Sequence, residues 1–247
     1  MNVSLYQAAA AMDAQSRWQE LIAQNLAAGS VPGFRKVNAS FEDVAAASPV
    51  AMNGATPASF YIPTVISSTS FQQGQLQPTG DANDFALEGQ GFFEVQLPNG
   101  DSAYTRNGQF QLDAKGQLVT AEGYLVQSDN GPVQFDPNNP APVTVSASGQ
   151  ISQGGDVKGR LKVVDFANPD SLTATTGGYL LANGQQPGTA PAGTSVRQGF
   201  LEAANTSPTM EMGSLISAMR LFEANQKVLQ AQDDRLGQII TDLSGTT

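Results

Sequence analysis

Between residues 209 and 243 the chain carries an unbroken heptad. Leu215, Phe222, Leu229, Leu236 and Leu243 fill one set of seam positions, and Ala218, Asn225, Gln232 and Ile239 fill the other. Only an α-helix brings residues at these spacings onto one stripe. At 1.5 Å per residue the pattern predicts a rod of roughly 50 Å, longer than a domain of this size needs for itself. Something outside the domain is therefore expected to cover the seam. Arg220, Glu223, Lys227 and Asp234 take the opposite side, where Glu223 and Lys227 have the order and spacing of a favourable helical ion pair.

The other end of the chain repeats the design. Residues 4–27 contain neither Gly nor Pro and end at Gly29 and Pro32, a helix with its stop signal. Asp13, Arg17 and Glu20 form one narrow stripe, opposite a seam of Ala8, Met12, Gln15, Gln19, Ile22 and Leu26. Polar seam residues such as Gln15, Gln19, Asn225 and Gln232 set register at some cost in stability, which suits copies that must stagger correctly. The ordinary alternative is a helical hairpin packed on its own domain.

Between the helices, short alternating segments are separated by turn signals: Pro98-Asn99-Gly100, Asp113-Ala114-Lys115-Gly116, Asp129-Asn130-Gly131 and Ser148-Gly149. Phe93, Val95 and Leu97 alternate with Glu94 and Gln96, the period of a half-buried sheet. The fold class is α+β, with N- and C-terminal helices forming a coiled-coil domain and an antiparallel β-rich middle. The expected division is 1–34, an N-terminal polymerisation helix; 35–80, an extended low-charge arm; 81–200, the β-rich domain; and 201–247, a C-terminal polymerisation helix. From Val44 to Gly80 no residue is charged, and spaced prolines argue for an arm over a free linker while leaving its secondary structure open. Its Phe60-Tyr61-Ile62 cluster favours contact with neighbours.

Composition excludes several functions. A net charge of −10 repels a phosphate backbone, so nucleic acid is not expected as a partner. With no Cys and no His, the usual metal ligands, thiolates and imidazole bases are missing, and chemistry would fall to carboxylates, hydroxyls or Lys. Of the carboxylates Asp81, Asp84, Glu88, Asp101 and Asp113, the last two sit at turn positions where the side chain caps the backbone. No enzyme activity, cofactor, metal or small-molecule substrate is expected. The early residues lack the cationic start and apolar run of a cleaved signal, and the prolines of the uncharged stretch exclude a membrane helix there. Gly89-Gln90-Gly91-Phe92-Phe93 lacks the Lys and strand-to-helix setting of a phosphate loop and reads as a turn within a sheet. Its two rings point to opposite faces, leaving one to reach a neighbour. Trp18, off the seam, serves as packing or as an intersubunit anchor.

Four segments carry a resemblance. Ala23-Gln24-Asn25-Leu26-Ala27-Ala28-Gly29-Ser30-Val31-Pro32-Gly33-Phe34-Arg35 keeps the spacing of ANNLANxxTxGFK, with Gln24, Ala28 and Val31 departing from it. Gly89, Gly91, Phe92 and Phe93 match GxGFF. Tyr104-Thr105-Arg106-Asn107-Gly108-Gln109-Phe110, then Asp113, Gly116, Leu118, Val119 and Gly123, match the longest signature. Gln198-Gly199-Phe200-Leu201-Glu202, followed by Glu211-Met212, Arg220, Phe222-Glu223-Ala224-Asn225 and Lys227, match a closing helix. In these the chain resembles the bacterial flagellar basal-body rod and hook axial proteins. Its length is similar to rod proteins of the FlgF and FlgG type, and Gly159–Phe166 favours the proximal, FlgF-like kind.

The resemblance implies a structural subunit of a tubular polymer, with the terminal helices lining its inside. That tube is the flagellar rod crossing the periplasm, and it transmits motor torque to the hook. The implied partners are copies of the chain, other rod and hook proteins and the flagellar export apparatus. Subunit packing is expected through Met12, Ile22, Leu26, Leu215, Phe222, Asn225, Leu229, Gln232, Leu236 and Ile239. The alternative is a monomeric β-rich binding protein or adhesin with a helical stalk.

Overall fold

Without an internal Gly or Pro, Val3–Ala27 runs as one helix, α1; Pro208–Ser244 forms a second, α2, with its proline at the first helical position and Gly213 and Gly237 carried within it. The computed structural model describes residues 3–47, 59–137, 139–175 and 177–244, omitting the side chains of 3–7, 45–47, 59–62, 236, 239–240 and 242–244. These residues divide into two units.

The first unit holds α1, α2 and residues 37–69. Along α1 the predicted seam is buried at Gln15 and Ile22 and half-buried at Ala8, Met12, Gln19 and Leu26, while Asp13, Arg17 and Glu20 face solvent. Gln15 Nε2 donates to the Ala218 carbonyl at 3.1 Å and Gln19 Nε2 to the same oxygen at 3.3 Å, so the two helices touch through polar seam residues. Within the predicted arm, the start of the uncharged stretch and the charged residues before it pair with a later extended segment. Strands β1 (Val37–Ala47) and β2 (Ser59–Thr69) form an antiparallel hairpin in the register Phe41↔Val65 and Val37↔Thr69. Pro63 fits because each strand of a two-stranded sheet has a free edge, where a missing N–H costs little. Pro49 and Pro57 lie outside the described residues, as do the side chains of Phe60, Tyr61 and Ile62.

The second unit, residues 28–36 and 70–206, is the β-rich part. Its first strands are β3 (Leu76–Pro78), β4 (Phe85–Glu88), β5 (Phe92–Gln96), β6 (Ser102–Thr105), β7 (Phe110–Leu112), β8 (Leu118–Thr120) and β9 (Leu125–Ser128). Central β5 pairs antiparallel with β6, with β9 and with Val163–Asp165. Asp113 acts as predicted, its Oδ1 accepting from the amides of Lys115 and Gln117 at 2.8 Å each and closing the β7–β8 hairpin. In the turn before β6, by contrast, the cap is Asn99, whose Oδ1 accepts the Asp101 amide at 3.1 Å, and the Asp101 carboxylate accepts from the Asn99 side chain. Period-two alternation sends Phe93 and Val95 into one cluster, with Phe85, Leu87, Phe110, Leu118 and Val126, and Phe92 into another, with Tyr104, Val164, Phe166, Leu172 and Leu180. Both phenylalanines of the glycine motif are thus buried within the unit, and neither ring is left to reach a neighbour. The chain returns late to its beginning: Ser195–Gln198 pairs with β4, and Phe200–Glu202 with β3.

Candidate functional site

Two features follow from this layout, a half-covered helix face in the first unit and a buried ionic clasp in the second.

Along α2, Ala218 is fully buried and Leu215, Phe222, Asn225, Leu229 and Gln232 are half-buried, which is the predicted seam. The side chains of Leu236 and Ile239 lie outside the described ones. Glu223 is exposed, as expected of the solvated side. Beyond the seam, Met212, Ile216 and Met219 on one flank and Leu221 and Val228 on the other are each about half exposed, at 48 to 55%. An apolar band wider than the seam therefore faces outward, a width that heptad counting did not reveal.

α1 is covered on a second side, also missed from the seam. Trp18 meets Phe41 of β1 edge to face, with centroids 5.6 Å apart, so its packing role is met within the unit. Asn25 is buried and closes the passage from α1 to β1: its Nδ2 donates to the Val37 carbonyl at 2.8 Å, and its Oδ1 accepts the Val37 amide at 2.9 Å. That double bond, made as a strand neighbour would make it, gives the motif asparagine a physical role.

In the second unit three motif segments meet at Glu202, which is 1% exposed. Arg35 Nη1 lies 2.9 Å from Oε1 of this carboxylate and also donates to the Gln72 carbonyl. Arg106 Nη1 lies 3.2 Å from Oε2, its Nη2 donates to the Gly89 carbonyl at 2.7 Å, and its guanidinium sits 5.4 Å over the Phe92 ring. The Gly74 amide donates to Oε1 at 2.8 Å. Burial pushes Arg106 down to about 10, with Arg35 adding to that effect and Glu202 opposing it; burial lowers Arg35 as well, again against Glu202. Removing the carboxylate would strand two buried cations, a loss of about 3–5 kcal/mol.

The glycines of the motifs make the close approach possible. Gly33 has φ +69, and its amide donates to the Glu202 carbonyl at 2.7 Å. A Cβ there would strike the Arg106 carbonyl carbon, and one on Gly108 would overlap the Phe85 carbonyl. Phe34 is buried beside this crossing, while Tyr104, Thr105 and Phe110 are buried on β6 and β7. Phe110 meets Phe93 edge to face at 5.5 Å. Asn205 completes the clasp: its Oδ1 accepts the Lys36 amide at 2.6 Å, and its Nδ2 donates to the carbonyls of Ser70 and Gln72. Arg35 and Glu202 stood in the motif segments without a role of their own, and Asn205 was not singled out from sequence. The available signal was a charged residue inside an otherwise apolar or neutral stretch, Leu201 to Ala204, which calls for a buried partner.

No group of three or more carboxylates able to hold a metal occurs among the described residues. Glu88, one of the carboxylates considered, is paired with Arg197 at 2.7 Å on the surface.

A family model described as the flagellar hook protein FlgE/F/G D1 domain matches residues 86–153, and one described as the flagellar basal body rod FlgEFG protein C-terminal matches residues 197–242. The flagellar basal-body rod protein FlgG of Borreliella burgdorferi is 34% identical, over 95% of this chain and 96% of its own. FlgF of Caulobacter vibrioides is 33% identical, over 89% of this chain and 92% of its own. FlgG of Bacillus subtilis is 29% identical, over 96% of this chain and 97% of its own.

Proposed function

This chain belongs to the FlgE/F/G family of flagellar rod and hook proteins, as a rod protein of the FlgF/FlgG type, and we propose that it polymerises by burying the outward face of α2 against neighbouring copies. It is a structural subunit of the flagellar basal-body rod, not an enzyme, and it assembles with other rod and hook proteins. The stalked-adhesin alternative finds no support among these relatives.

One observation carries the packing reading. Met212, Ile216, Met219, Leu221 and Val228 are exposed beside a seam that is itself only half-covered. Each apolar side chain moved from water into an interface returns about 25 cal/mol per Å², and a band along a 37-residue helix offers such area to several neighbours. Coiled-coil pairing through Met12, Ile22, Leu26, Leu215, Phe222, Asn225, Leu229, Gln232, Leu236 and Ile239 is part of this reading, with the polar positions setting the stagger. So is the division into terminal helices that polymerise, the 35–80 segment and a β-rich middle. Delivery by the flagellar export apparatus, with the chain incompletely ordered at its ends in transit, fits the same picture.

The test is assembly itself. Leu229→Asp would place a charge in the seam, and the purified variant is expected to keep its β-rich fold by circular dichroism but to form no filaments under electron microscopy and to support no motility. Normal filaments from that variant would overturn packing through this face.

A further inference from the structure

Residues 195–205 close the second unit from the far end of its sequence. Ser195–Gln198 pairs with β4, and Phe200–Glu202 pairs with β3. The Gln198 side chain donates to the carbonyls of Ala82 and Val143 at 2.8 and 2.9 Å and accepts the Val145 amide at 3.0 Å. Glu202 pairs with both Arg35 and Arg106, and Asn205 ties Lys36 to Ser70 and Gln72. The places these side chains fill are prepared by residues that come long before them: Lys36 is 169 positions from Asn205, and Arg106 is 96 from Glu202.

The charges make this more than a late contact. An arginine cannot shed its proton in a protein, so two guanidiniums whose side chains are 5% exposed must be either paired or hydrated. Before Glu202 is in place, bringing Arg35 and Arg106 together buries like charges. Closing a long loop is also the slow kind of contact. We infer that residues 195–205 are a latch: the second unit remains open, with Arg35 and Arg106 in water, until this segment arrives, so that closure is the last step of its folding and depends on the Glu202 charge. A chain delivered N-terminus first stays unclosed until residue 205 has emerged, whether or not its helices polymerise.

Pulse-labelled hydrogen exchange during refolding of the full chain tests this. The amides of Gly33, Gly74, Gly199 and Ala203 bond across the latch, whereas those of Leu118 and Val133 bond within the β8–β9 region. The latch amides are expected to gain protection together and after Leu118 and Val133. Glu202→Gln, which keeps the shape but loses the charge, should slow the latch phase at least about tenfold and leave the Leu118 and Val133 phase unchanged. Because that variant can fail to close at all, the chain carrying Arg35→Met, Arg106→Met and Glu202→Leu together is the companion. With no charge to neutralise, it should regain a latch phase faster than that of Glu202→Gln. Three results would overturn the inference: latch amides protected with or before Leu118 and Val133 in the unaltered chain, Glu202→Gln closing at the unaltered rate, or the triple variant closing no faster than Glu202→Gln.

Discussion

The two units use their apolar residues in opposite ways. In the β-rich unit Phe85, Leu87, Phe93, Val95 and Leu118 are at most 1% exposed, and the buried charges of Arg35, Glu94, Arg106 and Glu202 are paired. Of the eleven large hydrophobic side chains exposed among the described residues, nine belong to the helix-and-hairpin unit: Phe41, Val44, Ile66, Met210, Met212, Ile216, Met219, Leu221 and Val228. One unit satisfies itself, and the other leaves a surface that water solvates poorly. Under the packing proposed above, the contrast separates the part that must keep its shape from the part that gains stability on joining its neighbours.

The largest effect is expected where the self-sufficient unit is broken. Phe93→Ala removes a fully buried ring that packs on Phe110, and should cost about 3–5 kcal/mol, read as a lower urea midpoint for the β signal. A loss below about 1 kcal/mol would mean that this unit, too, waits for neighbours. Gln15→Ala is next. It deletes one of the two side-chain donors to the Ala218 carbonyl, Gln19 keeping the other, so the helical signal should be destabilised by about 0.5–1.5 kcal/mol. An unchanged helical melt would break the comparison, because α1 and α2 would then not hold each other in the free subunit. The double change Leu221→Ser and Val228→Ser touches side chains already half in water. It should leave the free subunit within about 0.5 kcal/mol yet stop filament growth, a combination that the β-rich unit cannot produce.

Both helices were legible because a period of 3.6, or its heptad relative, cannot be satisfied by strands, and their ends carried Gly and Pro signals. The turn at Asp113 was equally plain, since its carboxylate caps its own backbone and needs no distant partner. The β1–β2 hairpin was not. Its strands mix small, polar and apolar residues without a clean period of two, the second carries Pro63, and their pairing depends on a register that no local pattern announces. The clasp escaped for the same reason: Arg35, Arg106 and Glu202 each look like ordinary surface charges until the strand pairing brings them together. The motif glycines pointed to tight places, but which backbone they approach is a tertiary fact, as Gly108 against the Phe85 carbonyl shows.

The smallest expected effect lies on the surface of the β-rich unit and sets a floor for the comparison. Glu88 is held below its ordinary value of 4.5, first by the hydrogen bond from Arg197 and then by that charge. The folded value is therefore lower than the unfolded one, so the pair's contribution is fully present above about pH 4.5 and disappears as pH falls through the folded value. Both side chains are nearly half exposed, and such pairs are screened by salt. Urea midpoints of the unaltered chain and of Arg197→Gln should differ slightly at pH 7, converge as the pH is lowered past 4.5, and approach each other at pH 7 when salt is raised. A gap that persists in acid would assign the role of Arg197 to packing on Phe200, whose ring lies 5.9 Å from its guanidinium, and would leave the ion pair without a part in holding β4 to its late-arriving partner strand.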